Sequence, residues 1–565
     1  MNIHLLSLMP RLHLTGTLPL RLRRRHPSLS AERAAALGGL AAFLAMSFRG
    51  PRQKRKPGWN QPGQGRGFVT RDLDRILKRN LASPRGRAHK LKFWTDASPS
   101  PAALHKTFLG IARGTWGRRP VYLQNQNRQP HMQIVGPTRS GKSQLLLALS
   151  AQDMRAGIPL FFMEAKGDDS DFNQFLALAS LAGRAGDVRY FNPQDPRSMT
   201  FNPIRRLPGQ DANSLADQLS RILGREPGSG AEAQDYYKSV DYSKIQNMSE
   251  IFWETNLQYT LRDCFCYFNY PECREKAWRL SRSARLIEMA RREFEQKTDT
   301  AALTSALRPY VTGPLGELLN SYAPQIKLEE IFSRNQLVYF AIPIGYLPVL
   351  ANPLGRMLIS GLLSVAAFRQ RQAPKPGPAS IILDEFAEFA TPAFASFIAT
   401  VGSANFWTTL SHQDLGQLKK VQGTNPEAFK SAVFNNTSGC KICFRSPDPA
   451  DAEFWSAVLG TYQTVEDTER FKKTLFGTQG TGEISRRTVE HFKVHPNTLK
   501  NLAPGTALVF SPGHEDSLIR TARVFNLIKN ARPELSRVTT LEEPGLDLAS
   551  IIKPPQAAAD RKTRI

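Results

Sequence analysis

The sequence is poor in three things, and each shortage excludes something. Five cysteines in 565 residues cannot staple a disulfide framework, so a reducing compartment and a fold held by its own core are expected. Acidic residues are outnumbered, 49 Asp+Glu against 75 Lys+Arg, leaving a formal charge of +26. A polyanionic partner is the expectation, either nucleic acid or an anionic membrane surface. Long apolar runs are also missing. The only membrane candidate is residues 34–48, fifteen mostly apolar residues between Arg33 and Arg49, whereas a spanning helix needs about 20. That stretch reads as a marginal anchor, an interfacial helix, or part of an N-terminus whose start is misplaced. A secretory leader is disfavoured, and no repeat at solenoid or propeller periods is present.

The first hundred residues hold 20 Lys+Arg and 4 Asp+Glu, so most of the excess charge lies ahead of residue 136, and a basic arm is expected. Residues 1–66 are rich in Arg, Pro and Gly, and Arg49–Gly67 in particular carries no apolar period. The cysteines pose a zinc question, with Cys264, Cys266 and Cys273 close together and Cys440 and Cys443 spaced C-x-x-C. Cys440–Cys443 lies in a strand-like run, where the two side chains face opposite sides, so reduced structural thiols are expected.

What is present is a phosphate-binding pattern. Gly136-Pro137-Thr138-Arg139-Ser140-Gly141-Lys142-Ser143 fits G-x-x-x-x-G-K-[ST], between the apolar run Met132–Val135 and the apolar helix beginning Gln144–Leu149. Glycines let successive N–H groups curl towards phosphate oxygens. Lys142 supplies a cation to the outer phosphates, and the Ser143 hydroxyl suits Mg2+. ATP and Mg2+ are the ligands expected. A second apolar strand, Ser380–Leu383, ends in Asp384 and Glu385. Asp384 suits the metal shell and Glu385 the activation of water, if both project beside the loop. The strand Asn405–Leu410 ends at Ser411-His412-Gln413. A right-handed crossover makes it parallel to the strand bearing Asp384, so Gln413 reaches the same edge as a sensor of the terminal phosphate. His412 alternates away and is not assigned to catalysis. Arg445 and Arg356 are candidates for an arginine acting from a neighbouring subunit, with a structural or surface role the competing reading for each.

Strands at Pro159–Met163, Val188–Phe191, Leu337–Pro343 and Ser380–Leu383 alternate with helices, which implies an α/β fold with a parallel sheet covered on both faces. Between about 205 and 327 only helical periods appear, for example Asp211–Leu223 and Ala277–Phe294. Asn352-Pro353 is expected to open a helix, and Asp448-Pro449 another. The organisation expected is a basic arm over 1–66, a nucleotide-binding domain over 67–204 and 328–530 with an all-α domain inserted at 205–327, and a tail over 531–565.

Taken in order, the phosphate loop, Glu164-Ala165-Lys166-Gly167-Asp168, Phe201-Asn202-Pro203-Ile204, Asp384-Glu385-Phe386, Ser411–Leu418, Phe444-Arg445 and Asp448-Pro449 resemble the TraD/TrwB-type coupling proteins of bacterial conjugation and type IV secretion. The resemblance runs over about residues 120–530. It implies a RecA-like P-loop motor of the FtsK/HerA class, hexameric, on the cytoplasmic face of the bacterial inner membrane. It further implies ATP hydrolysis, DNA binding with little sequence preference, and delivery of a relaxase-bound strand to the secretion channel. Such relatives usually carry a basic pair where this chain has Gly402-Ser403-Ala404-Asn405, and they begin with two membrane helices. A motor acting on a protein client, and a basic nucleic-acid scaffold with vestigial nucleotide binding, are the other readings. The intact set of Lys142, Asp384, Glu385 and Gln413 argues against the last.

Overall fold

The computed structural model describes residues 106–552 apart from 115–116, 208, 227–231, 296–298, 348, 422–424, 475–476, 513–516 and 523–532. The basic arm, the run at 34–48 and the end of the tail at 553–565 lie outside the described residues.

Along the chain the strands are β1 (Lys106–Gly114), β2 (Gly117–Gln124), β3 (Met132–Val135), β4 (Leu160–Glu164), β5 (Val188–Phe191), β6 (Leu337–Ala341), β7 (Ala379–Leu383), β8 (Phe406–His412), β9 (Cys440–Cys443), β10 (Thr461–Thr474), β11 (Gly477–Phe492), β12 (Thr506–Phe510) and β13 (Ser517–Thr521). Eleven of them form one sheet in the order β2-β1-β13-β12-β9-β3-β8-β7-β4-β6-β5. From β9 to β5 all neighbours are parallel. At β12 the sheet turns antiparallel and continues so through β13, β1 and β2.

The parallel strands read as unbroken apolar runs because both faces are covered. In β4, Leu160 and Phe162 face the layer made by α1 (Lys142–Arg155) and α2 (Asp169–Leu181), while Phe161 and Met163 face the opposite layer. β6 alternates the same way, so Phe162 stacks on Tyr339 at 5.0 Å on one face and Phe161 meets Phe340 at 5.4 Å on the other. Each such ring contributes about 2–3 kcal/mol of burial.

Between β5 and β6 the described residues form helices and no named strand. These are α3 (Ala212–Leu223), α4 (Glu232–Glu254), α5 (Leu261–Asn269), α6 (Pro271–Leu280), α7 (Ala284–Glu295), α8 (Ala301–Leu307), α9 (Gly313–Leu319) and α10 (Leu328–Ser333). Then come α11 (Ala351–Gln370), α12 (Pro392–Thr400), α13 (Pro426–Asn436), α14 (Pro449–Leu459) and α15 (Pro496–Lys500). Helix α11 is the one described helix long and apolar enough to cross a membrane, but 61% of its apolar window is buried inside the fold. Met357, Leu358 and Leu362 of α11 belong to the core against Phe340 and Leu383.

Several elements differ from expectation. Ala277–Phe294 is not one helix: it breaks at residues 281–283, where the Ser283 hydroxyl accepts the Leu286 N–H at 3.3 Å and starts α7. Helix α11 begins at Ala351, one residue before Asn352, whose side chain accepts from Arg356 Nε at 3.0 Å in place of capping the backbone. The sheet is parallel only in part, because β1, β2, β12 and β13 add an antiparallel segment to it. Residues 533–552, expected as a tail, lie against the helices. Glu543 pairs with Arg205 at 2.7 Å and Lys327 at 2.6 Å, and Leu546 N–H donates to Gln258 O at 2.7 Å. All five cysteines are free and buried. Cys440 packs on one face of the sheet and Cys443 on the other, as strand alternation requires.

Candidate active site

Strand β3 runs straight into the loop Gly136–Ser143, and α1 begins at Lys142. The first N–H groups of a helix have no acceptor within it, so this end of α1 attracts anions. Gly136 is needed for close approach, since a Cβ there would come within 2.6 Å of Phe444 Cβ. The far side of the loop is braced by Gly505, whose N–H donates to Ser140 O at 2.7 Å. Thr138 and Arg139 at the loop tip are exposed, and Pro137 is half-buried.

The expected site residues converge. Lys142 is buried and donates to Gly136 O at 2.6 Å and Pro137 O at 3.5 Å, with Glu385 Oε1 3.4 Å away. Ser143 Oγ donates to Asp384 Oδ2 at 3.0 Å. The edge brings them together because β7 ends at Leu383 and the Asp384 N–H continues its pairing to Met163 O at 2.8 Å. The chain then turns sharply. Glu385 has φ 54°, an uncommon backbone state for a non-glycine residue that costs about 1–3 kcal/mol. Its Oε2 is buried and, among the described residues, has no hydrogen-bond partner. Burial raises the Glu385 pKa, against the opposing pull of Lys142. A partly desolvated carboxylate with one oxygen unclaimed suits the ordering and deprotonation of a water.

Strand β8 lies between β3 and β7, so the sensor strand separates the loop strand from the one carrying Asp384. His412 O accepts the Gly136 N–H at 3.2 Å, which places the next residue, Gln413, beside the mouth of the loop. Gln413 is half-buried and its backbone N–H donates to Gln417 Oε1 at 2.9 Å. His412 is fully buried, and burial pulls its pKa down to about 4. Its Nδ1 lies 2.7 Å from Asp414 O and its Nε2 2.9 Å from Gln133 Nε2. The network therefore assigns a neutral ring that donates to Asp414 and accepts from Gln133. Arg445 is exposed just beyond β9, the other neighbour of β3. Arg356 is half-buried on α11 and bonded to Asn352, which is a structural setting.

Two residues that sequence reasoning quoted without a role belong to this edge. Lys166 Nζ lies 3.2 Å from Ser143 Oγ and 3.7 Å from Asp384 Oδ2. Glu164, buried at the end of β4, accepts the Lys166 and Gly167 N–H groups at 2.6 and 2.8 Å, and burial pushes its pKa up to about 8. The signal was available in a charged run closing an apolar strand on the loop's own sheet edge. Ser143 and Asp384 are hard oxygen donors on adjacent elements, which fits Mg2+ completed by phosphate oxygens. Among the described residues no three His, Cys, Asp or Glu side chains gather into a metal site of their own.

A family model described as the TraM recognition site of TraD and TraG matches residues 378–503, which include Asp384, Glu385, Gln413 and Arg445. The type 4 coupling protein DotL of Legionella pneumophila is 20% identical over 468 residues, 72% of this chain and 58% of that protein. VirD4 of Rhizobium radiobacter is 26% identical over 370 residues, 60% of this chain and 49% of that protein. The chain thus spans about half the length of the curated relatives it matches. Among solved structures, the bacterial conjugative coupling protein TrwBdeltaN70 in its unbound monoclinic form superposes with a TM-score of 0.50 at 15% identity, covering 76% of this chain and 89% of that one. That likeness establishes a shared RecA-like α/β fold. The motif order, the matched family model and the coupling-protein relatives agree in what the chain is similar to, the type IV coupling proteins.

Proposed function

We propose that the chain is an ATPase that binds DNA with little sequence preference and passes a relaxase-bound strand to a type IV secretion channel. The single observation that supports this most is the meeting of Lys142, Ser143, Asp384 and Glu385 within hydrogen-bond or ion-pair distance at one sheet edge. In this reading the amides of the loop and the Lys142 ammonium hold the outer phosphates of ATP. Ser143 and Asp384 would hold Mg2+, which neutralises charge on the phosphate oxygens when bound. Glu385 orients and deprotonates the attacking water. Gln413 senses the terminal phosphate from the adjacent strand, and Arg445, exposed at the same edge, is offered towards a neighbouring subunit.

The remaining features extend that reading. A homo-hexamer on the cytoplasmic face of the bacterial inner membrane, working with relaxase and secretion-channel components, would place the basic arm of 1–66 against DNA or anionic lipid. The helical stretch of 205–327 forms a domain inserted in the nucleotide-binding domain of 67–204 and 328–530.

ATP turnover measured with and without single- and double-stranded DNA tests the proposal. DNA should raise turnover, and added salt should erode the stimulation because phosphate contacts release counterions. Hydrolysis that ignores DNA would favour a motor acting on a protein client. Absence of hydrolysis would leave a nucleic-acid scaffold with vestigial nucleotide binding.

A further inference from the structure

We propose that Lys166 is a resident counter-cation of the Ser143–Asp384 corner that must leave when a divalent metal enters with nucleotide. This rests on the nucleotide reading above and adds to it a residue that sets the metal requirement.

The two oxygens that would bind the metal lie 3.0 Å apart, and the Lys166 ammonium lies 3.2 Å from one and 3.7 Å from the other. A Mg2+ ion sits at about 2.1 Å from its oxygen ligands, so it would occupy the corner the ammonium now faces. Two cations at such separation repel strongly.

The lysine is held at its base, while its side chain is exposed. Glu164 ties down the backbone N–H groups of residues 166 and 167. Gly167 has φ 68°, and a Cβ there would come within 2.6 Å of Pro343 Cβ, so the turn requires glycine. The Lys166 side chain nonetheless keeps 41% of its surface, against 3% for Asp384. The ammonium can therefore swing into solvent while the carboxylate cannot. The ammonium offsets the charge of Asp384, 3.7 Å away, and a divalent ion can take over that duty.

The test uses the full chain and a fluorescent ATP analogue whose binding is titrated with Mg2+ and repeated in EDTA. Lys166→Gln should reach half-maximal nucleotide binding at several-fold lower Mg2+, with binding in EDTA unchanged. Lys166→Met should behave alike, and it carries the test should the first variant fold poorly by thermal melting. An unaltered Mg2+ requirement would overturn the proposal. So would a loss of binding in EDTA, which would make Lys166 a direct phosphate ligand. Lys142→Ala serves as the control: if it binds nucleotide as well as the parent, the nucleotide reading fails, whatever Lys166 does.

Discussion

Two buried carboxylates, Asp263 in the helical region and Glu385 at the sheet edge, share a chemistry and differ in what surrounds them. Asp263 is fully buried and accepts from the Thr260 N–H at 2.8 Å, the Thr260 hydroxyl at 2.9 Å, the Tyr322 hydroxyl at 3.0 Å and the Leu548 N–H at 2.9 Å. It closes a capping box at the start of α5 and ties the chain's last described segment to the helices. Every lone pair it buries is answered, as stability demands. Glu385 is nearly as buried, yet it has one ion-pair partner at 3.4 Å, an unclaimed oxygen and a left-handed backbone. Such a group costs stability unless a ligand completes it. The satisfied acid is architecture, and the unsatisfied one fits the water activation proposed for it.

The sharpest way to break this comparison is to neutralise each acid in turn. Glu385→Gln keeps the shape and removes the proposed base, so hydrolysis should fall by about 10²–10⁴-fold while nucleotide binding and melting temperature hold. A variant that loses its fold instead would make Glu385 architectural as well. Asp263→Ala should do the opposite. It strands several buried donors and should cost about 3 kcal/mol in denaturant unfolding, while turnover per folded molecule stays at the parent value. Reduced turnover without reduced stability would erase the distinction.

A smaller effect sharpens it from the side of pH. The pKa of Glu164 in the fold, about 8, lies above its ordinary value of 4.5. The folded state therefore holds a proton that the unfolded chain has released. Stability from this group is complete below about pH 4.5 and is lost as pH rises through about 8. Thermal melting followed across that window should show a downward slope that flattens in Glu164→Gln. An identical slope in both would remove Glu164 from the set of strained acids at the edge.

Most of the nucleotide edge was legible because its pieces are local. The glycine spacing of residues 136–143 and the apolar run before Asp384 each fit within a few consecutive residues, and the crossover to Gln413 is a single α-helix between adjacent strands. The missed pieces were those whose meaning depends on a distant partner. β1 and β13 pair across more than 400 residues of chain, and their short runs, such as Ser517–Thr521, carry too little alternation to announce a strand. The hairpin of β10 and β11 is largely polar and pairs only with itself, so no apolar face marked it. Lys166 and Glu164 were visible as charges, but their distances to Ser143 and to the turn at Gly167 arise only when β4 packs two strands away from β8.

By itself the sequence determined the phosphate loop, the acid pair closing an apolar strand, the run of helices between β5 and β6, and the excess of positive charge. These follow from backbone stereochemistry, strand alternation and composition, which act between near neighbours. Only the tertiary structure decided which buried acid is satisfied and which is left open, where Lys166 rests, and that the chain's last described segment clasps the helices through Glu543. Those outcomes depend on long-range strand pairing and on burial, and a charge acquires its partners and its pKa only where the fold has put it.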